Sequence, residues 1–321
     1  MATSRHGEAV RDLGALPPHM AARPITEREF RAFRELIHRL SGIHLVQEKK
    51  VLLVGRLNRR LRILGLSSFR EYLDVLDGGK NELEAAQMLD CICTNETHFF
   101  REPQQFEFLE REAYPRWTRA ANARERPRHI KVWSAACSTG EEPYSVAMSL
   151  LSHFPLQAGW TIDILATDLS TFALARAVAA QWPVDKASEI PERLLRRFML
   201  RGAGAKEGLM AAGQELRSVV RFRRFNLIGN SYPSDRDFDV VFCRNVIIYF
   251  DAPTKAEVVS RLIGHVGPRG YLVLGHAESI QGLDARVLRH APAIYSHRPS
   301  DEPSSGRGSP PPADEITGAP R

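Results

Sequence analysis

The sequence predicts an α/β protein, a doubly wound and mostly parallel sheet preceded by a small all-helical domain. Two observations carry this. Between about residues 25 and 95 apolar side chains recur only at helical spacing, whereas from His129 onward four β-rich runs appear, with amphipathic helical stretches between the first pairs. Strands alternating with helices imply a parallel sheet covered on both faces, with ligands at the carboxyl ends of the strands. The length of 321 residues agrees with two domains at about 150 residues each.

The elements follow in order. Residues 1–24 and 300–321 read as disordered tails; the second is rich in Pro, Ser and Gly, and Ile316 is its one large apolar side chain. Thr26 with Glu29 three residues later is a capping-box start, and Phe30, Phe33, Ile37 and Leu40 then mark a helix that ends at Ser41-Gly42. A second helix runs from about Gln47 to Leu64 and stops at Gly65; SSFREYLDVLDG and NELEAAQMLDCICT give a third and a fourth. The helical domain is therefore expected at 25–95. HIKVWSAAC, TIDILATD, FDVVFCRNV and GYLVLGHAE are the four β-rich runs, in an α/β domain expected at 115–299.

Composition narrows the function classes. At 43% hydrophobic and 26% charged, the chain has the make-up of an ordinary globular protein, which excludes disorder of the whole. Runs such as VVFC and VLLV fall far short of the ~20 apolar residues of a membrane span, and MATSRHGEAVRDLG has no apolar signal core, so the expected setting is the cytoplasm. Four cysteines make no disulfide scaffold. Cys91 and Cys93 are spaced C-x-C without a second pair, so no metal is expected.

The net charge of +6 is localised. Residues 49–62, KKVLLVGRLNRRLR, hold six basic residues and no acid, so the remainder balances at 38 basic against 38 acidic. On a helical wheel Leu53, Val54, Leu57, Leu61 and Leu64 form one apolar stripe, and Lys49, Arg56 and Arg60 fall within about 40° of each other, with Arg59 beside them. Such a face is either simply solvated or offered to an acidic partner.

The segment 132–147, VWSAACSTGEEPYSVA, has the form of a nucleotide-binding strand-loop-helix unit. Ala135, Ala136, Ser138 and Gly140 let a ligand approach the backbone, and Pro143 suits a first helical turn. Both G-x-G-x-x-G and the P-loop lysine are missing, and Glu141 and Glu142 would repel phosphate. They suit the cationic amino group and sulfonium of S-adenosylmethionine. Asp168 ends the second β-rich run, 28 positions after Gly140, where an acid can accept both hydroxyls of a ribose.

Taken together, TNETHFFRE at 94–102, SAACSTGEEPYS at 134–145, RFRRFNL at 221–227, FDVVFCRNVIIYF at 238–250 and GHAES at 275–279 resemble the motif series of the CheR-type chemotaxis receptor methyltransferases, in the family's order. His98 stands where the family pattern leads one to expect a small residue, and Ala136-Cys137 varies the small-residue loop. The resemblance implies a class I S-adenosylmethionine-dependent methyltransferase fold with a linker helix at 96–114 and an inserted β-subdomain at about 190–222. It implies methyl transfer to glutamate side chains of the cytoplasmic helical bundle of chemoreceptors, with S-adenosylhomocysteine as the other product. Cofactor contacts carried over by motif are Asn95, Thr97, Arg101, one loop glutamate, Asp168, Asn226, Leu227, Arg244 and Asn245. Glu141 is the preferred loop glutamate, because Glu142 directly precedes Pro143 and suits a helix cap. In some members the subdomain docks a C-terminal receptor pentapeptide by strand addition, and Gly202, Gly204 and Gly208 fit such a hairpin.

The chemistry needs little from the protein. A solvated glutamate with a pKa of about 4.3 is already ionised, so no general base is required, only proximity and alignment. Arg101 and Tyr249 are the expected catalytic pair that orients the acceptor carboxylate. Lys49, Lys50, Arg56, Arg59, Arg60 and Arg62 are expected to dock the acidic receptor. A monomer is expected, without membrane insertion. Nucleic acid as substrate would call for an N-P-P-Y-like stacking loop; NVIIYF has the aromatic but no adjacent proline.

Overall fold

The computed structural model describes residues 24–77, 81–280 and 286–298. Apart from Pro24, the tails expected at 1–24 and 300–321 lie outside the described residues.

Four helices form the first unit: α1 (Glu27–Ser41), α2 (Lys50–Leu64), α3 (Phe69–Asp77) and α4 (Glu82–Ile92). The capping box is present, with Glu29 N donating to Thr26 Oγ1 at 3.2 Å and Thr26 N to Glu29 Oε2 at 2.8 Å. Each helix turns one apolar face inward, so Phe30 and Ile37 of α1, Leu57 of α2, Tyr72 of α3 and Met88 of α4 share one core.

Residues 93–102 carry no helix; Phe100 and Glu102 hold left-handed backbone, and Pro103 then opens α5 (Pro103–Phe108). The chain continues through one π turn (Leu109–Ala113) into α6 (Tyr114–Asn122), so the linker helix lies later than the expected 96–114.

The second unit contains β1 (His129–Ser134), α7 (Glu141–His153), β2 (Thr161–Asp168), α8 (Thr171–Ala179), β3 (Gln181–Pro183), α9 (Glu192–Phe198), β4 (Met199–Arg201) and β5 (Leu209–Ala212). It closes with α10 (Gln214–Ser218), β6 (Val220–Arg224), β7 (Phe238–Cys243), α11 (Ala252–Ile263), β8 (Val266–Leu274), β9 (Val287–Ala291) and β10 (Ile294–His297). The main sheet has the order β6-β2-β1-β7-β8-β10-β9. Its pairs from β6 to β8 are parallel, and β10 joins β8 and β9 antiparallel.

Alternation explains why both faces are buried. In β7, Val240 and Phe242 enter the core that contains Tyr114, Trp117 and Phe154, while Val241 and Cys243 face Val259 and Leu262 of α11. A two-sided strand of this kind reads as a continuous apolar run, as FDVVFC does.

The insert differs from expectation. Its antiparallel sheet, in the order β3-β5-β4, spans 181–212 rather than 190–222. RFRR pairs in parallel with β2, Arg224 opposite Asp168, as the edge of the main sheet. An edge strand exposes one side to water and tolerates arginines that would be excluded from a central strand.

Candidate active site

A cleft opens at the carboxyl ends of β1, β2, β6 and β7, and the 93–101 segment and the α1 end at Ser41 and Ile43 close its other side. Both units therefore build it. Of the expected cofactor residues, Asn95, Thr97, Arg101, Asp168, Asn226, Leu227, Arg244 and Asn245 line the cleft, as does Tyr249. Glu141 does not.

The turn after β1 makes the floor. Cys137 N donates to Thr167 O at 2.9 Å, bending the chain beneath Ala135 and Ala136. Gly140 follows at φ 98, and a Cβ there would come within 3.0 Å of Ala177, so only glycine lets α8 pack against the loop. The Asp168 carboxylate accepts from Ser138 N at 2.8 Å and from Ser170 N at 2.9 Å, which fixes its rotamer at the mouth of β2. Burial pushes the Asp168 carboxyl above its usual range, and the Ser170 and Ser138 N–H groups recover only part of the shift.

The loop glutamates divide their roles. Glu142 lines the cleft, accepting from Ser134 Oγ at 2.7 Å and from Arg244 Nη1 at 3.2 Å. Glu141 turns away from the cleft and is 1% exposed, held by Lys186 Nζ at 2.9 Å and Thr139 Oγ1 at 2.6 Å. Of the two loop glutamates it is therefore Glu142, and not the expected Glu141, that faces the cleft. Nor does Glu142 cap the helix, whose N-cap is Gly140 without a side-chain bond. Burial raises the Glu142 carboxyl against the pull of Arg244.

Arg244 is a strut of the cleft wall. Its side chain is 2% exposed, and it joins Glu142 to Glu102 (3.4 Å) and donates to Arg101 O. The roof is pinned likewise: Ser138 Oγ donates to Asn95 O at 3.1 Å, Lys186 Nζ to Thr97 O at 2.9 Å, and Phe99 N to Glu189 at 2.7 Å. Asn226 Nδ2 donates to Leu40 O at 2.7 Å, so it ties α1 to the cleft. Sequence reading named Ser138 only as a small loop residue and missed Lys186 and Glu278, of which only the last lay in a quoted motif, GHAES.

The six cations of 49–62 do not form one free face. Arg60 is paired with Glu84 inside the helical unit, Lys50 with Glu27, and Arg56 donates to Ile92 O and to Thr94 Oγ1 at 3.0 Å. Among the described residues, Lys49, Arg59 and Arg62 are exposed and join no ion pair.

Three carboxylates, Glu96, Glu142 and Asp168, thus line a cleft with a small-residue floor and no lysine, an acceptor set that fits a cationic nucleoside with a free ribose diol. Fold and cleft together define an S-adenosylmethionine-dependent methyltransferase. The family model described as "CheR methyltransferase, SAM binding domain" matches residues 95–293, and "CheR methyltransferase, all-alpha domain" matches 28–92. "Chemotaxis protein methyltransferase" of Escherichia coli is 36% identical, covering 85% of this chain and 91% of that protein. "Chemotaxis protein methyltransferase 2" of Pseudomonas aeruginosa is also 36% identical, over 84% of this chain and 93% of that one. The chain belongs to the CheR methyltransferase family, and S-adenosylmethionine is its methyl donor. No helix among the described residues is long and apolar enough to cross a membrane.

Proposed function

We propose that the protein methylates glutamate side-chain carboxylates on the cytoplasmic helical bundle of chemoreceptors, leaving methyl esters. The observation that carries this reading is the charge layout of the cleft, with acids Glu142 and Asp168 on its floor and Arg101 and Tyr249 among its lining groups. Chemotaxis in the names of the relatives supports the substrate class.

S-adenosylmethionine supplies an electrophilic methyl carbon and keeps the electron pair of the broken C–S bond on sulfur. The acceptor carboxylate oxygen forms the new bond in line, and no proton has to move because a solvated glutamate is already ionised. Glu142 would hold the cationic amino-acid end of the donor, with Asn95, Thr97 and Arg244 around it, and Asp168 would accept the ribose hydroxyls. Asn226, Leu227 and Asn245 bound the nucleoside. Arg101, whose Nη1 reaches Glu96 O at 3.3 Å, and the 37%-exposed Tyr249 orient the acceptor without immobilising the attacking oxygen. Lys49, Arg59 and Arg62 are the docking cations left free for an acidic receptor; Lys50, Arg56 and Arg60 act inside the protein.

On this reading the protein acts as a monomer beside the cytoplasmic part of its receptors. The β4 edge, with Leu200 61% exposed, is where a receptor's C-terminal pentapeptide would add as a strand. Incubation with tritiated S-adenosylmethionine and a receptor cytoplasmic fragment is expected to give label released by alkali as methanol. Base-stable label, or none, overturns the reading.

A further inference from the structure

The loop that follows β7, residues 244–249, brings Arg244, Asn245 and Tyr249 to the cleft. Little secondary structure supports it: Asn245 sits at φ 59, outside regular structure, and a single 3₁₀ turn covers Ile247–Tyr249. Its amides are gathered mainly by one carboxylate. Glu278 is 1% exposed, and among the described residues it forms no ion pair. It accepts instead from backbone N–H groups: Gly275 N at 2.7 Å, Asn245 N at 2.8 Å, Val246 N at 2.8 Å and Ile248 N at 3.3 Å. Three of the four donors belong to the loop.

A buried anion is retained only when its oxygens are satisfied, and backbone donors satisfy Glu278 only in this loop conformation. The approach is tight as well. A Cβ on Gly275 would come within 2.9 Å of Glu278 Oε2 and within 2.7 Å of Asn245 Nδ2, so glycine is needed for loop and carboxylate to meet. Tyr249 hangs at the far end, its carbonyl accepting from His44 N at 2.7 Å, which ties the same loop to the helical unit.

We infer that Glu278 is a positioning residue for methyl transfer, whose carboxylate gathers the loop amides and thereby fixes Tyr249 against the acceptor. The inference rests on the reading of Tyr249 given above. Replacing the carboxylate by an amide sets an NH₂ donor against backbone donors, which frees one side of the loop while keeping the volume.

The test is a double-substitution cycle on the full chain with E278Q, Y249F and E278Q/Y249F. Receptor-fragment methylation supplies kcat and KM, and hydrogen exchange of the 244–250 amides is followed without any receptor. E278Q is expected to lower kcat tenfold or more with less than threefold change in receptor KM, and to speed loop exchange at least tenfold while β1 amides stay protected. The double variant is expected to fall within twofold of Y249F alone. Multiplying losses, wild-type kcat in E278Q, or unchanged loop exchange overturns the inference. Faster loop exchange in E278Q, joined to wild-type kcat in Y249F or to no receptor methylation at all, leaves the clamp standing and sinks the functional reading instead. If E278Q does not fold, E278D, which keeps the charge but is one methylene shorter, runs the same cycle with the same criteria.

Discussion

Arg60→Ala should cost the protein about 3 kcal/mol of stability and should not be read as a docking defect. Arg60 Nε donates to Glu84 Oε1 at 2.6 Å, its Nη2 meets Oε2, and Tyr72 Oη adds a third donor at 2.8 Å. The side chains are 13% and 5% exposed, so truncation would leave a carboxylate buried with a single donor. Breaking a buried pair from one side costs roughly 3–5 kcal/mol; the phenol that remains and the partial exposure of Arg60 place this case at the lower end. Urea denaturation followed by circular dichroism gives the difference directly. Arg60→Met with Glu84→Leu removes both charges and should recover most of the loss, since an apolar pair of similar volume avoids the desolvation cost. Exposed Arg59→Ala should stay within about 0.5 kcal/mol of the parent. An Arg60→Ala protein as stable as the parent, or a double variant no better than the single, would refute the reasoning.

Asp168→Asn should weaken S-adenosylmethionine binding by roughly 10–100-fold in calorimetry, the worth of a charged hydrogen bond of about 1.5–3 kcal/mol. Glu142→Gln should raise the same Kd about tenfold, whereas Glu141→Gln should leave it within about threefold and lower the melting temperature instead, through its contacts with Lys186 and Thr139. Burial pushes the Glu84 carboxyl up, but hydrogen bonds from Arg60 and Tyr72 with the charge of Arg60 outweigh it and hold it below its ordinary 4.5. The folded state therefore binds fewer protons, so this contribution is present above the ordinary value and is lost as pH falls through the folded one; an acid titration of stability should lose that slope in Glu84→Gln. Removing Lys49, Arg59 and Arg62 together should leave calorimetric Kd for the donor unchanged and slow receptor methylation most at low salt, and equal rates at every ionic strength would exclude docking by these cations.

The parts of the fold legible in sequence are those whose signal is local. Phe30, Phe33 and Ile37 repeat at helical spacing and form one face of α1, and FDVVFC names a strand buried on both sides. Asp168 was legible because the end of a parallel strand is where a ligand-facing acid belongs. What stayed hidden depends on partners distant in the chain. Adjacent glutamates point about 100° apart on a helix, and which of them faces the cleft is decided by Lys186, which claims Glu141 from 45 positions away. The wheel for α2 ranks Arg56 and Arg60 with Lys49, but it contains neither Glu84 nor the Ile92 carbonyl, which take those two inward. The insert is expected to run on to 222, into β6, because three arginines in RFRRF obscure an alternation that an edge strand need not obey.

The cleft has to satisfy opposed electrostatic demands. A cationic donor favours the acids on the floor, yet the same acids repel the anionic acceptor that must come within bonding distance of the methyl group. Arg244 moderates the conflict by pairing with both Glu142 and Glu102, leaving that buried triad a net charge of one negative unit instead of two. On the proposed reading the acceptor side is served by groups that attract an anion without neutralising it: Arg101, only partly buried, and the phenol of Tyr249. That division makes the position of Tyr249 matter. It also accounts for placing a buried carboxylate, Glu278, behind the loop, where its charge is spent on four backbone N–H groups and adds little repulsion in the cleft.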